Sequence, residues 1–305
     1  MHLEIVKHDG PARLGKLHFE GAVILTPSLF WSSAAGEIPP HYLELSPPGH
    51  YTKGRTVVSY GTVFSQERIA QFGILPSFPS GYDSPEGIAK EAVAKTLEFS
   101  ENYPDFGAVV EGGKYVELRR GCAEKLKDRP ILKIANSDRL VRNHRKLVDT
   151  VTAVRETASP NTALYMPDIP PYLFSLLAYM GVDMFDLKRA ILGAHENIYF
   201  TPTGAAEVKR LVELPCSCSI CATTIPEEIS FDKLLAHNVH VFTACVREVR
   251  ETIRRGLLRN LVEERAACDV NAMGALRILD AERQDFLERY TPIYAASSLK
   301  RGGNG

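Results

Sequence analysis

No run of about 18 apolar residues occurs in this chain, so no segment is long enough to cross a membrane as a helix. Charge of one sign is also missing: 36 Lys and Arg stand against 37 Asp and Glu, a net charge of −1. That excludes a polycation, so any nucleic-acid contact must come from local basic patches. The opening Met1-His2-Leu3-Glu4 has no basic stretch leading into an apolar run, as a secretory leader would. Internal repeats and low-complexity segments are absent, and no G-x-G-x-x-G follows the first strand, which leaves a dinucleotide fold unsupported. Cysteines are few, and three of the six crowd into Cys216–Cys221. A secreted disulfide framework would spread them more evenly, so the expectation is a reducing cytoplasm and a metal site.

What is present is an ordinary core-forming chain, 45% hydrophobic and 24% charged, and 305 residues suffice for one large domain or two small ones. Short apolar runs alternate with amphipathic stretches. Strands are expected at Thr56–Tyr60, Gly107–Glu111, Pro130–Ala135, Ala163–Met166 and Val182–Phe185, and helices at Pro85–Phe99, Tyr115–Leu126, Asp138–Thr157 and Pro171–Met180. Strand–helix alternation implies a parallel sheet, which a closed barrel or an open doubly wound sheet would satisfy. Past Gly204 the character changes to a cysteine cluster, then to mostly helical sequence rich in Arg and Glu from Phe231 to Tyr290. The expected division is 1–204 for the barrel core, 205–256 for a zinc subdomain with the last barrel helix, and 257–305 for a helical tail with a disordered end at Arg301–Gly305.

Cys216-Ser217-Cys218-Ser219-Ile220-Cys221 is a C-x-C-x-x-C run. Its thiolates converge on one ion only if the chain turns sharply, which Pro215 and the serines permit. Zinc takes four tetrahedral sulfur or imidazole ligands, so three cysteines call for a fourth, with His237 and His240 the nearest downstream. Four protein ligands leave no open position, so such a zinc is structural and activates no water. The alternative is three unconnected buried cysteines.

Several motifs then align in order. They are Gly10-Pro11-Ala12-Arg13-Leu14-Gly15-Lys16-Leu17 with Thr26-Pro27, Val109-Val110-Glu111-Gly112-Gly113-Lys114-Tyr115-Val116-Glu117-Leu118-Arg119, Gly181-Val182-Asp183-Met184-Phe185-Asp186, the cysteine run, and His237-Asn238. Over nearly the whole length this resembles the tRNA-guanine transglycosylase superfamily. The resemblance implies a TIM (β/α)8-type barrel with a zinc-binding subdomain and C-terminal helices, zinc held by Cys216, Cys218, Cys221 and His237, and a covalent nucleophile at Asp186. Active sites in that fold sit at the C-terminal strand ends, where Glu111, Asn136 and Asp186 fall. Departures are equally specific. Ser59-Tyr60-Gly61 stands where the superfamily has D-S-G, Leu75-Pro76-Ser77-Phe78-Pro79 lacks the carboxylate that reads guanine, and Glu111 replaces a glutamine. This pattern, with Ile134-Ala135-Asn136, Ser159-Pro160-Asn161-Thr162 and Leu164-Tyr165-Met166-Pro167, is most similar to the archaeosine-synthase branch. That branch implies transfer of free lysine to the nitrile of 7-cyano-7-deazaguanine in the D-loop of tRNA. Its members often carry a PUA-type RNA-binding domain. None is recognised before Gly305, so a separate chain is expected to supply it, beside a radical-type partner enzyme; a homodimer is also open.

Adding an amine to a nitrile needs the neutral amine and a donor to polarise the nitrile nitrogen. An amine with an ordinary pKa of about 10.4 must be helped by a carboxylate or by burial. Asp186 and Glu111 are the candidates; alternatively Asp186 attacks the ribose. The bland readings are a helix N-cap for Asp186, a solvated hairpin residue for Glu111 and a tight turn for Gly112-Gly113, where the functional one lets a flat base approach the backbone. Tyr60 could stack on a base or sit in the core, while Ser59, Gly112, Gly113 and Asn136 complete the expected substrate pocket. The target base must leave its stack, which calls for phosphate contacts. Arg247, Arg250, Arg254 and Arg255 recur along one helix, and Arg139, Arg142, Arg145 and Lys146 form a second run. The alternative is a solvated face balanced by Glu248 and Glu251. Competing readings are a base-exchange transglycosylase, opposed by Ser59, an inactive zinc-containing subunit, opposed by the kept Asp186, and a homologous DNA-modifying transglycosylase.

Overall fold

The computed structural model describes residues 1–61 and 69–289; the tail expected to be disordered lies outside them. The chain opens with an antiparallel sheet, β1 (His2–Asp9), β2 (Ala12–Phe19) and β3 (Ala22–Thr26). Eight parallel strands follow: β4 (Ser28–Trp31), β5 (Leu43–Ser46), β6 (Thr56–Ser59), β7 (Gly73–Ile74), β8 (Ala108–Val110), β9 (Ile131–Ile134), β10 (Ala163–Tyr165) and β11 (Met184–Asp186). Neighbours pair in sequence from β4 to β7 and from β8 to β11, and β11 pairs back onto β4. The remaining seam is bridged at Ile74 and Gly107: Leu75 N–H donates to the Gly107 carbonyl at 2.8 Å and Gly107 N–H to the Gly73 carbonyl at 3.0 Å. This is the TIM-type barrel that the resemblance implied.

From β7 onward helices alternate with strands: α1 (Glu86–Glu101), α2 (Val116–Leu126), α3 (Ser137–Leu140), α4 (His144–Thr157), α5 (Phe174–Tyr179) and α6 (Lys188–His195). A hairpin, β12 (Ile198–Thr201) and β13 (Gly204–Glu207), leads to the cysteine run and to α7 (Phe231–Arg255), α8 (Leu258–Ala266), α9 (Val270–Glu282) and α10 (Gln284–Glu288). Strands β4, β5 and β6 are joined without an α-helix, and α7 packs on β1, β2 and β4. No helix among the described residues is long and apolar enough to cross a membrane.

Two elements differ from the periodicity. The helix expected over Asp138–Thr157 breaks between α3 and α4, because the Asn143 side chain accepts the Lys146 N–H and starts a new helix there. The stretch from Pro171 begins as a 3-10 turn, since Pro170 and Pro171 have no N–H to give to a helical ladder.

Inside the barrel, alternate residues of each strand point inward. Phe30, Leu43, Val57, Ile74, Val109, Ile131, Ala163 and Met184 form one cluster with Leu3, Leu17, Phe19 and Ile24 of the amino-terminal sheet, which therefore plugs the barrel. Each large side chain buried this way contributes about 1.5–3 kcal/mol. The plug is also clamped. Arg13 on β2 donates from Nε and Nη2 to the two carboxylate oxygens of Asp183 at 2.8 and 2.5 Å, and from its other N–H groups to the carbonyls of Pro160 and Thr162. Asp183 in turn accepts the Leu164 N–H at 2.7 Å. Two separate sequence motifs, the one with Arg13 and the one with Asp183, are thus halves of one buried ion pair.

Removing one member leaves the other charge buried and unpaired. Asp183→Ala is therefore expected to lower unfolding free energy by about 3–5 kcal/mol in urea titration, and Arg13→Met/Asp183→Leu to restore much of it. A loss below about 1 kcal/mol for the single change would show that the pair does not clamp the plug.

Candidate active site and metal centre

Asp186 ends β11 and is 5% exposed. Tyr165 OH donates to its Oδ2 at 2.6 Å, and the backbone N–H groups of Asp168 and Lys188 donate to Oδ1 at 3.1 Å each. The carboxylate thus serves the first turn of α6 and, with Tyr165, also closes the end of β10. Burial raises its pKa although all three donors oppose that rise. Asp168 has φ of 61°, a left-handed conformation that costs a non-glycine residue energy and gathers at functional sites.

Glu111 follows β8 and is 2% exposed, so it is no solvated hairpin residue. Its Oε2 has no hydrogen-bond partner among the described residues, and neither do the hydroxyls of Ser80 and Tyr82 nearby in sequence to the carboxylate-free segment. Burial pushes the Glu111 carboxyl up, while the Ser77 hydroxyl and the charges of Arg119 and Lys133 pull it down. The turn that carries it depends on Arg119. This fully buried guanidinium donates to the Gly113 carbonyl at 2.7 Å, the Val110 carbonyl at 3.2 Å and Asn136 Oδ1 at 3.3 Å. Gly112 has φ of 140°, and a Cβ there would lie 2.8 Å from Arg119 Cγ, so the glycine is required by the arginine behind it. Asn136, also left-handed with φ of 56°, caps the end of β9 and reaches the Ser80 carbonyl.

Ser59 ends β6 on the inward-facing side with Val57, partly exposed. Tyr60, next along, is 3% exposed, and its hydroxyl donates to the Gln71 carbonyl at 2.8 Å. Three members of this site were not singled out for a role. Tyr165 ends β10, inside the Leu164–Pro167 run, and Asp168 follows that run. Lys133 is the one charged residue in the apolar strand β9, paired in register with Val109 and Tyr165. Alternation puts it on the inner face with Ile131, and a charge at an inward position of a core strand was the available signal.

The basic runs do not gather at this mouth. Arg250 donates to the carbonyl of Pro27, just before β4, and Arg254 pairs with Glu251. Arg250, Arg254 and Arg255 therefore lie toward the N-terminal end of the barrel strands, opposite Asp186. Arg145 pairs with Glu282; Arg139, which reaches Asp83 at 3.6 Å, and Arg142 are exposed by α3, beyond the C-terminal end of β9.

Apart from the barrel, Cys216, Cys218, Cys221 and His237 bring their donor atoms within 4.8 Å of one another. His237 Nδ1 lies 3.3 Å from Cys221 Sγ and 3.7 Å from Cys218 Sγ. Zinc–sulfur and zinc–nitrogen bonds of about 2.3 and 2.0 Å give tetrahedral edges of about 3.6 Å, so the cluster could bind zinc. His237 Nε2 faces the Phe200 carbonyl at 2.9 Å, and a carbonyl only accepts, so the proton sits on Nε2 and Nδ1 keeps its lone pair for a metal. Burial lowers the imidazole pKa to about 4, which keeps the ring neutral. Tyr199 stacks on that ring at 3.8 Å, with its hydroxyl 3.3 Å from Cys221 Sγ. Asn238 accepts the Phe200 N–H and donates to the carbonyls of Ala190 and Ile198, locking α7 onto β12 and α6. His240 is exposed and outside the cluster.

The sequence pattern of the family described as queuine tRNA-ribosyltransferase matches residues 79–269. The chain is 30% identical to the archaeosine synthase subunit alpha of Methanosarcina acetivorans, over 98% of this chain and 48% of that protein. It is 31% identical to the tRNA-guanine(15) transglycosylase of Thermococcus onnurineus, over 81% of this chain and 45% of that one. The corresponding protein of Methanothermobacter thermautotrophicus is 31% identical over 67% and 33%. The chain thus spans about half, or less, of the length of these curated relatives.

Purified protein is expected to hold about one tetrahedrally bound metal ion per chain, and Cys218→Ser or a strong chelator to remove it and lower the melting temperature, since binding and folding are coupled. Metal-free protein of undiminished stability would overturn this. The Glu111 carboxyl gives a second expectation. A buried acid whose folded pKa is raised binds its proton more tightly in the native state, so its contribution falls as pH rises. Glu111→Gln should melt higher than the parent at neutral pH, and the gap should close near about pH 4, where the carboxyl is protonated. An unchanged or lower melting temperature at neutral pH contradicts it.

Proposed function

The chain belongs to the queuine tRNA-ribosyltransferase family, and we propose that within it the chain is a tRNA-modifying transferase of archaeosine formation, adding lysine to the nitrile of 7-cyano-7-deazaguanine. The observation that carries this is the altered carboxylate set at the barrel mouth. Asp186 is present and held by three donors, Ser59 and the carboxylate-free Leu75–Pro79 stand at the base-exchange positions, and Glu111 offers an oxygen with no partner among the described residues. A site that no longer ejects guanine but gains a carboxylate suits a cationic second substrate. Raised carboxyl pKa values also bring Asp186 and Glu111 nearer to neutral pH, where a general base works best. One of the two binds the incoming ammonium and takes its proton. Similarity to a protein described as an alpha subunit supports a further chain, which in this reading brings a PUA-type RNA-binding domain, with a radical-type enzyme acting afterwards.

The remaining assignments follow the same reading. Zinc occupies the Cys216, Cys218, Cys221 and His237 cluster in a structural role, because four protein ligands leave no place for water. Exposed Arg139 and Arg142, beyond the end of β9, are better placed for tRNA phosphates near the mouth than the arginines of α7. The setting is the cytoplasm.

The test is mass spectrometry of tRNA bearing 7-cyano-7-deazaguanine after incubation with lysine, the protein and its partner chain. The expected product is heavier by one lysine with no loss of water, since addition to a nitrile expels nothing. Asp186→Asn should slow it by ~10²–10⁴-fold. An untouched nitrile with the assembled complex, or incorporation of labelled guanine into unmodified tRNA, would replace this reading, the second outcome with base exchange.

A further inference from the structure

The barrel mouth contains a cation that the family motifs do not include. Lys133 lies on the inner face of β9, in register with Val109 on one side and Tyr165 on the other. Strand β8 leads directly to Glu111, and Tyr165 bonds Asp186, so the amine stands on the strand between the two carboxylate-bearing walls. Neither carboxylate touches it. Among the described residues no carboxylate oxygen comes within 4.0 Å of its Nζ, and no hydrogen bond fixes it. Lys133 is half-buried and its Nζ is not sealed off from solvent, so a molecule entering the mouth can reach it. Glu111 Oε2, at the end of the neighbouring strand, has no hydrogen-bond partner among the described residues, and the Glu111 charge acts on Lys133.

Two other cations set at the strand ends are already engaged. Arg119 is spent on the carbonyls of Gly113 and Val110 and on Asn136, and Lys188 reaches Asp168 at 3.3 Å with its side chain 59% exposed. Tyr165 gives its hydroxyl proton to Asp186.

We propose that Lys133 is the proton donor of this site, its ammonium bonding the nitrile nitrogen of the bound base while the amine of the second substrate adds to the nitrile carbon. This rests on the lysine-transfer reading above. The balance is complete within the site. The neutral amine forms the new C–N bond as one π bond of the nitrile breaks, and the electron pair moves to the nitrile nitrogen. That nitrogen takes a proton from Lys133. The attacking nitrogen gives one to the carboxylate of Glu111 or Asp186, which returns it to Lys133, leaving an amidine. The groups facing Lys133 are Glu111 from β8, Tyr165 from β10, and Asp186 with Lys188 and Asp168 at the end of β11 and β10. Burial and Lys188 lower the Lys133 pKa against the pull of Asp186 and Glu111, which makes its proton easier to give up near neutral pH.

The experiment compares wild type, Lys133→Gln and Lys133→Arg in the assembled complex, with lysine and tRNA bearing 7-cyano-7-deazaguanine, over a range of pH. Lys133→Gln should lower kcat by ~10²–10⁴-fold with little change in KM for tRNA. Lys133→Arg, whose guanidinium can bond the nitrile nitrogen but cannot give up its proton, should lose kcat nearly as far as Lys133→Gln, and an Arg variant as active as wild type would overturn the proton transfer. Melting curves and metal content check that both variants fold. Transfer by Lys133→Gln within twofold of wild type overturns the role while leaving the lysine-transfer reading standing. A protein–tRNA adduct on denaturing gels that vanishes in Lys133→Arg overturns it in favour of a nucleophile. No transfer by wild type overturns both.

Discussion

A guanidinium does not lose its proton inside a protein, so Arg13 can be buried beneath the barrel only if its charge is met there. Asp183 meets it, and the consequences run upward through the molecule. The same carboxylate accepts the Leu164 N–H, one residue before Tyr165, and Asp183 itself lies three residues before Asp186. The pair that pins the amino-terminal plug thus fixes the starts of two adjacent strands whose ends carry the Tyr165–Asp186 hydrogen bond. Positioning at the mouth is set from the base, by a contact between residues that no substrate meets.

The mouth follows the opposite rule. Several groups that hold the fold are fully paired: Arg119 with two carbonyls and Asn136, Asn238 with three backbone groups, His237 with Phe200. Glu111 Oε2 and the hydroxyls of Ser80 and Tyr82 are buried without partners among the described residues. Buried polar groups left unsatisfied cost free energy; such groups also occur elsewhere, at Thr26, Ser28 and Ser175, but at the mouth they include a carboxylate oxygen, the costliest kind to leave without a partner. Left-handed Asn136 and Asp168, at two neighbouring strand ends, store strain at the same rim.

Much of this was legible in the sequence, for identifiable reasons. The metal cluster was legible because three thiols and an imidazole have no cheaper explanation at that spacing, although choosing His237 over His240 needed the resemblance. Strands β6 and β8 to β11 were legible because each is a short apolar run bounded by turn residues. Strands β4, β5 and β7 were not, since two to four residues give little periodicity, and the longer β1 and β2 of the amino-terminal sheet were also not assigned. Lys133 was overlooked because the apolar character of its neighbours marked the strand and masked the exception. The place of the α7 arginines could not be read for a general reason: helical spacing says which residues share a face, and nothing about which end of a barrel that face adorns.

The missing helices between β4 and β6 have a consequence for how this chain is made. In a regular (β/α)8 barrel each strand is covered soon after it is synthesised. Here β4 must wait for β11, more than 150 residues later, to complete its pairing, and for α7, about 200 residues later, to cover it. Long separations in sequence make folding slow and leave apolar strands open to wrong partners in the interval. The emerging chain therefore has no early stopping point: its first native wall is finished by nearly its last helices.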